Sequence, residues 1–215
     1  MKKTKEHYEA RRNEVYAKNR ESIRMMWDDK EEVRKDVYRE LINENSVIIE
    51  IGVRLAENAF LMYAHNPKKM FLVDPWENHP KDKKFYKRVK DVFAGCNNVQ
   101  IIKSTSQEAV KKFENNFFDI VYIDAGHRYE EVLRDLDLWA PKIKSGGFII
   151  GDDYFDNPEK DPLTEKYQIK WKKQEYGVVP AVGDFLKKNE NFEIYYSDKF
   201  TEFPLAAGQF ILRKK

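Results

Sequence analysis

The chain has 215 residues and a mass of 25.7 kDa, a size typical of one domain or of one domain with a small extension. Hydrophobic residues make up 41% of the sequence and aromatic residues 14%, which excludes a wholly disordered chain. The net charge of +2, from 39 basic and 37 acidic residues, requires no acidic partner.

Membrane spans, secretory signals and cysteine-based sites are not expected from this sequence. Its apolar runs are far shorter than the roughly 20 residues of a membrane span, and the charged N-terminal segment has no apolar stretch like that of a secretory signal. The single cysteine, Cys96, allows neither an internal disulfide nor a metal site built from cysteines. We therefore expect a cytoplasmic protein with no membrane partner.

The first 45 residues predict an N-terminal helical extension. Apolar residues such as Val33, Val37 and Leu41 recur at helical spacing, which indicates two amphipathic helices at roughly 5–28 and 30–43. We expect these helices to cover the core or a subunit interface, so a homo-oligomer is one interpretation. Basic and acidic residues are interspersed here, which argues against a nucleic-acid arm.

From Ser46 onward, short apolar runs alternate with helical patterns. Five runs are apolar on both faces, which is typical of parallel strands buried between helices: 46–51, 69–73, 99–102, 118–123 and 147–150. Helical patterns separate them at about 54–65, 80–94, 106–115 and 128–142. This alternation predicts a doubly wound α/β domain over residues 46–215.

The end of the chain breaks the alternation. After a predicted helix at 178–188, the runs 192–197 and 208–213 follow each other with no helix between them, so we expect an antiparallel hairpin. With it the sheet has seven strands, five of them parallel, and is Rossmann-like. The polar segment 154–176 follows the fifth strand and is interpreted as a lid or substrate loop, or as a disordered insertion.

Polar residues follow the first two strands at the edge where such sheets bind ligands. Glu50 and Gly52 end the first strand, and a glycine there lets backbone approach a ligand closely. Asp74 ends the second strand and suits the two hydroxyls of a ribose. The alternative for Asp74 is a cap on the turn before Pro75.

A stronger group follows the fourth and fifth strands. Asp124 and His127 come after the fourth strand, and Asp152 and Asp153 come after the fifth. We expect these side chains to meet, because the two strand ends are neighbours in this architecture. Three carboxylates suit Mg²⁺, and a histidine that exchanges protons near neutral pH suits a general base. The alternative is that these residues cap turns and a helix.

Two further features have ordinary structural interpretations. Ser106 is a natural N-cap for the helix after the third strand, although its hydroxyl could also reach a flat ring. The segment Lys81–Lys90 interleaves basic and aromatic residues, which suits either a nucleic acid or the solvated face of a helix.

Taken in order, these motifs resemble those of class I S-adenosylmethionine-dependent methyltransferases over about residues 46–213. A smaller set of residues resembles one subgroup of this family, which contains the macrocin and mycinamicin sugar O-methyltransferases and the cephalosporin-pathway methyltransferase. The residues of this set are Asp124, His127, Tyr129, Asp135, Trp139, Gly146, Gly147, Asp152, Asp153 and Tyr154. The chain departs from the family pattern at Ala56-Glu57-Asn58, where Gly-Gly-Ser is common, and at Ala125.

The resemblance implies a role for each matching residue. Glu50 and Gly52 would lie against the methionine part of the cofactor, Asp74 would hold the ribose hydroxyls, and Ser106 would sit at the adenine edge. Asp124, Asp152 and Asp153 would hold Mg²⁺, with Asp124 also counted among the cofactor-binding and catalytic residues, and His127 would be the general base.

The implied activity is transfer of a methyl group from S-adenosylmethionine to a hydroxyl of a small, sugar-like molecule, assisted by Mg²⁺. Two alternatives stay open: an RNA-directed methyltransferase that uses Lys81–Lys90, and a non-catalytic module with a methyltransferase-like fold. A nicotinamide-dependent oxidoreductase ranks low because no Gly-x-Gly-x-x-Gly turn follows the first strand. A nucleic-acid partner is not expected.

Overall fold

The computed structural model describes residue 34 and residues 37–154, 177–195 and 209–215. The predicted helix at 5–28 lies outside these residues, and so does the predicted lid segment apart from Tyr154. In the described ranges, no helix has both the length and the apolar character needed to cross a bilayer.

The strands form one mixed sheet. They are β1 (Val47–Ile51), β2 (Lys69–Asp74), β3 (Val99–Lys103), β4 (Phe118–Ile123), β5 (Ile143–Gly151), β6 (Phe192–Ile194) and β7 (Phe210–Lys214). Their order is β3-β2-β1-β4-β5-β7-β6. The first five strands are parallel, and β7 runs antiparallel to both β5 and β6. The predicted fold class is therefore confirmed, with β5 starting four residues earlier than expected.

The helices agree with the sequence pattern in position; those that follow β1, β2, β3 and β4 are shorter than predicted, and the one before β6 has the predicted bounds. They are α1 (residues 37–41), α2 (Glu57–Tyr63), α3 (Asp82–Val92), α4 (Ser106–Ala109), α5 (Tyr129–Trp139) and α6 (Val178–Lys188). Single 3₁₀ turns, Val110–Lys112 and Ala140–Lys142, follow α4 and α5. Pro141 in the second turn has no N–H to continue the helical hydrogen bonds, which accounts for the early end of α5.

Two hydrophobic clusters cover the two faces of the sheet. Alternate residues of each central strand belong to different clusters; in β1, Ile48 joins one cluster while Ile49 and Ile51 join the other. Helices α1, α2 and α3 pack on the first face, and α5 and α6 pack on the second. This two-sided burial is the physical reason why the strands read as continuous apolar runs.

Helix α1 is built into the domain core. Its residues Val37, Tyr38 and Leu41, together with Ile42, are buried in the first cluster. Residue 34 is helical as well, and Arg34 is only 1% exposed. The part of the predicted 30–43 helix that the structure describes therefore covers the core, as one of the two interpretations expected.

Candidate functional site

A cleft of about 520 Å³ opens at the carboxyl ends of the parallel strands. It lies at the junction of β1 and β4, which are adjacent in the sheet and from which the chain leaves in opposite directions. This switch point is where doubly wound sheets bind ligands. The cleft wall includes all five residues predicted to bind the cofactor: Glu50, Gly52, Asp74, Ser106 and Asp124. His127 lines it too.

Gly52 allows two strand ends to approach each other. Its φ of +90° lies in the left-handed region, and a Cβ atom at this position would stand 1.9 Å from the carbonyl oxygen of Asp124. Its N–H donates to the carbonyl of Val73 over 2.9 Å. A glycine is thus required at this position by the backbone of Asp124. The expectation from the sequence was that a glycine is needed here for close approach to a ligand.

Glu50 is a buried acid at the cleft wall and is only 1% exposed. Its Oε1 accepts a hydrogen bond from Asn58 Nδ2 over 3.0 Å, whereas its Oε2 has no hydrogen-bond partner within the described residues. The pKa of Glu50 is raised to about 8, chiefly by burial; the Asn58 hydrogen bond opposes the rise and the nearby Asp74 carboxylate adds to it. Glu50 is therefore largely protonated at neutral pH, with one oxygen available to a ligand.

A buried polar network fixes Asn58 from behind. The phenolic O–H of Tyr38, in α1, donates to Asn58 Oδ1 over 2.5 Å. Gln209 Nε2 donates to the hydroxyl oxygens of Tyr38, at 3.1 Å, and of Tyr122, at 2.7 Å. The sequence analysis noted Asn58 only as a departure from a glycine-rich pattern and missed Tyr38 and Gln209, which come from distant parts of the chain.

Asp74 lines the cleft and also caps the turn that follows β2. Its carboxylate accepts from the backbone N–H of Arg54 over 2.9 Å and from that of Trp76 over 2.7 Å. Both residues have left-handed backbone, with φ of 46° and 44° respectively. Burial raises the pKa of Asp74, although these two hydrogen bonds oppose the effect. The turn-capping interpretation is therefore confirmed, and the ligand role of Asp74 stays a prediction.

Ser106 does not cap the helix it begins, which corrects the sequence prediction. Thr105 is the N-cap, and its Oγ1 accepts from the N–H of Glu108 over 3.3 Å. Ser106 Oγ instead donates to Asp135 Oδ1 over 2.7 Å and accepts from Trp139 Nε1 over 2.9 Å. The hydroxyl therefore ties α4 to α5 at the cleft wall.

Asp124, His127 and Asp153 form a compact group beside the cleft. His127 Nε2 lies 3.9 Å from Asp124 Oδ1, and His127 Nδ1 lies 3.4 Å from Asp153 Oδ2. One ligand atom from each of the three lies within 4.8 Å of the others, as a metal site requires. Burial raises the pKa of Asp124 well above its ordinary value, and repulsion from Asp152 and Asp153 adds to the rise. An imidazole between two carboxylates is suited to accept a proton.

Asp152, predicted to be a third metal ligand, is paired with a cation of the protein itself. Arg34 Nη2 lies 2.6 Å from Asp152 Oδ1 and 2.7 Å from Oδ2, and both side chains are buried. The sequence analysis missed Arg34. The signal was a basic residue on the apolar face of the predicted 30–43 helix, four positions before Tyr38 and seven before Leu41.

The basic and aromatic segment Lys81–Lys90 forms most of an amphipathic helix, α3, with Lys81 at its N-cap. Phe85 and Val89 are buried within it, while the ammonium groups of Lys90 and Lys103 lie 4.5 and 5.8 Å from the centre of the Tyr86 ring. This arrangement matches the solvated-helix interpretation of the segment.

Comparison with known proteins agrees with this architecture. Residues 49–154 match a family model described as a methyltransferase domain. An uncharacterised protein of Acanthamoeba polyphaga mimivirus is 29% identical over 126 residues, which cover 55% of this chain and 57% of the viral protein. The chain thus spans little more than half the length of that curated relative.

Solved structures share the fold at low sequence identity. A candidate caffeoyl-CoA O-methyltransferase from Staphylococcus aureus has a TM-score of 0.63 and 16% identity, over 97% of this chain and 92% of that one. The SAH-bound methyltransferase PaMTH1 from Podospora anserina has a TM-score of 0.62 and 17% identity, over 98% and 86% of the two chains. Residues 49–154 are therefore similar to a methyltransferase domain, and the sheet that carries them shares its fold with solved methyltransferase structures.

Proposed function

We propose that this chain transfers the methyl group of S-adenosylmethionine to a hydroxyl of a small, sugar-like molecule. One observation carries the proposal: Glu50, Gly52, Asp74, Ser106 and Asp124 line a single cleft at the switch point of a sheet that matches a methyltransferase domain. The similar PaMTH1 structure contains SAH, the thioether that remains after S-adenosylmethionine has lost its methyl group.

The chemistry of the cleft suits a cofactor with a ribose and a positive charge. Each Asp74 oxygen accepts one backbone N–H and retains a lone pair for a ribose hydroxyl. The carboxylate of Asp124, on the same wall, favours the sulfonium and ammonium charges. Glu50 Oε2 has no hydrogen-bond partner in the described part of the chain, so a polar group at the methionine end of the cofactor would satisfy it.

His127 is the proposed general base. As the acceptor oxygen attacks, the O–CH₃ bond forms, the S–CH₃ bond breaks, and the sulfonium becomes a neutral thioether. The hydroxyl proton passes to the His127 ring, where Asp124 and Asp153 stabilise the resulting imidazolium. The main task of the protein is then to align donor and acceptor, because the methyl group is already activated.

The three-aspartate magnesium site stays a prediction that these residues do not fit well. Both oxygens of Asp152 accept from Arg34, and the remaining group of Asp124, His127 and Asp153 contains an imidazole. Magnesium favours oxygen ligands in near-octahedral geometry. The proposed reaction therefore has no step at a Mg²⁺ ion.

Calorimetric titration of the full chain with S-adenosylhomocysteine tests the cofactor assignment. We expect binding in the micromolar range, about −8 kcal/mol, and at least about tenfold weaker binding for Asp74→Asn, since an amide accepts fewer hydrogen bonds than a carboxylate. Asp137→Asn, an exposed position on α5, is the control and should bind like the parent. Absence of binding by the parent would overturn the proposal in favour of a non-catalytic module.

A panel of sugars with free hydroxyls then tests the acceptor class, with formation of S-adenosylhomocysteine as the readout. His127→Ala should lower turnover by about 10²-fold or more while leaving affinity for S-adenosylhomocysteine unchanged. Undiminished turnover in this variant would refute the base assignment. Methyl transfer to RNA, with none to the sugars, would favour the RNA-directed alternative.

A further inference from the structure

We propose that the guanidinium of Arg34, rather than a divalent cation, is the positive charge bound by Asp152 at the acidic end of the cleft. This proposal concerns the same cleft as the proposed function. It depends on that function only for the statement that the cleft is the methyl-transfer site. Its consequence is that Arg34, which precedes α1 in the sequence, supplies a cation to the group formed by Asp124, His127, Asp152 and Asp153.

The geometry of the contact is that of a bound cation. A single nitrogen, Arg34 Nη2, stands 2.6 Å from Oδ1 and 2.7 Å from Oδ2 of Asp152. A metal held by both oxygens of a carboxylate would occupy the same point between them, at distances of about 2.3–2.6 Å for Ca²⁺. Nitrogen and metal therefore compete for one position, and a metal held by both oxygens of Asp152 must first displace Arg34.

Displacement of Arg34 is costly because the ion pair is buried. Arg34 is 1% exposed and Asp152 is 9% exposed. A guanidinium removed from the Asp152 carboxylate would remain charged at any pH compatible with folding, and it would give up this contact without gaining the solvation of a surface position. A divalent ion that stays in solution keeps its bound water molecules. It therefore gains less free energy by replacing Arg34 at Asp152.

The two partners are also held in place independently of each other. The N–H of Asp152 donates to the carbonyl of Ile123 over 3.2 Å, which fixes the carboxylate beside the end of β4. Arg34 is itself helical and lies three and four positions before Val37 and Tyr38, which are buried in the core. The cation is thus delivered by a packed element rather than by a flexible surface side chain.

The electrostatic effect reaches the proposed general-base group. Asp124 is repelled by Asp152 and Asp153, and Arg34 opposes that repulsion. Without a cation, three carboxylates at adjoining strand ends would destabilise one another. Arg34 is therefore a positioning residue that places a positive charge against Asp152, beside Asp124 and His127.

Binding of Mn²⁺ alone, measured by calorimetry on the full chain, tests this inference. We expect Arg34→Gln to bind Mn²⁺ at least about tenfold more tightly than the parent, because removal of the guanidinium frees Asp152 to join Asp124 and Asp153. Arg34→Gln combined with Asp152→Asn should return to the parent affinity. Asp152→Asn alone should bind Mn²⁺ no more tightly than the parent, because it removes a carboxylate and keeps the charge of Arg34. The matched control is Arg39→Gln, an exposed arginine on the same helix, which should not change the affinity.

Unchanged Mn²⁺ affinity in Arg34→Gln would overturn the inference, and so would a double variant that binds Mn²⁺ as tightly as Arg34→Gln alone. If neither variant folds, the side-chain ¹⁵N–¹H signals of Arg34 in the parent decide the question. They should stay unchanged in excess Mg²⁺, and their displacement would show that the metal takes the place of Arg34. These readouts need no methyl acceptor, so their failure is distinguishable from failure to bind S-adenosylhomocysteine.

Discussion

Gly52 and Asp124 are in such close contact that no side chain fits between them. A Cβ atom on Gly52 would lie 1.9 Å from the carbonyl oxygen and 2.5 Å from the carbonyl carbon of Asp124. Both atoms are backbone atoms at the end of a central strand, so they cannot move aside as a flexible side chain would. The contact joins the ends of β1 and β4, between which the cleft opens.

Gly52→Ala should therefore impair both folding and ligand binding. The left-handed backbone at φ +90° costs about 1–2 kcal/mol for an L-residue, and the clash adds to that cost. We expect a loss of at least about 2 kcal/mol in the free energy of unfolding, measured by urea titration, together with much weaker binding of S-adenosylhomocysteine.

Gly146→Ala provides the matched control for this prediction. Gly146 also has a left-handed φ, +79°, but nothing lies within 4 Å of a Cβ atom built there. Its substitution should cost only the backbone term, about 1–2 kcal/mol, with ligand affinity retained. Equal losses of stability and of ligand affinity at the two glycines would show that the contact with Asp124 contributes to neither.

Glu50 predicts an unusual dependence of stability on pH. Its pKa is raised from 4.5 to about 8 in the folded protein, so between these values the folded chain keeps a proton that the unfolded chain releases. Glu50 therefore lowers the free energy of unfolding as pH rises from about 5 to about 8. Glu50→Gln resembles the protonated acid, so its stability relative to the parent should increase over that range in urea titrations.

Subtracting the stability of the parent from that of a variant at each pH isolates the contribution of the substituted group from those of the other titrating groups. Glu108→Gln removes a glutamate that is 63% exposed and should give a nearly flat difference from the parent over the same range. A flat difference for Glu50→Gln as well would mean that burial leaves the protonation of Glu50 unaltered.

Ser106→Ala should destabilise the protein more than loss of the neighbouring helix cap. The substitution leaves Asp135, which is 2% exposed, and the indole N–H of Trp139, which is fully buried, without the hydroxyl that joins them. We expect a loss of about 1–3 kcal/mol for buried polar groups left unpaired. Thr105→Ala removes the N-cap and should cost about 1 kcal/mol. A smaller loss for Ser106→Ala in urea titrations would contradict this ranking.

The sheet could be predicted because its cause is local. In β1 and β4, neighbouring residues are buried on opposite faces, so each strand appears as a short apolar run in the sequence. Once the strands are parallel, their carboxyl ends share an edge, which is enough to bring Glu50, Asp74 and Asp124 to one cleft.

The partners of the site residues could not be predicted, because they depend on tertiary contacts. Arg34 and Asp152 lie 118 positions apart in the sequence, and Arg34 is one of many charges in its segment. Ser106 has the residue type of an N-cap, but its backbone is already helical, whereas Thr105 has the extended backbone that an N-cap requires. Capping preference alone could not distinguish two adjacent hydroxyl residues.

The Arg34–Asp152 ion pair predicts strong coupling between two substitutions. Arg34→Met alone leaves a buried carboxylate without its partner and should cost about 3–5 kcal/mol of unfolding free energy. Adding Asp152→Leu removes that charge as well, and the double variant should recover most of the loss, since buried ion pairs are often no better than apolar pairs of similar volume. Urea titration of the parent, both single variants and the double variant gives the coupling energy directly. Additive losses would mean that each residue stabilises the fold through other contacts and that the pair itself contributes little.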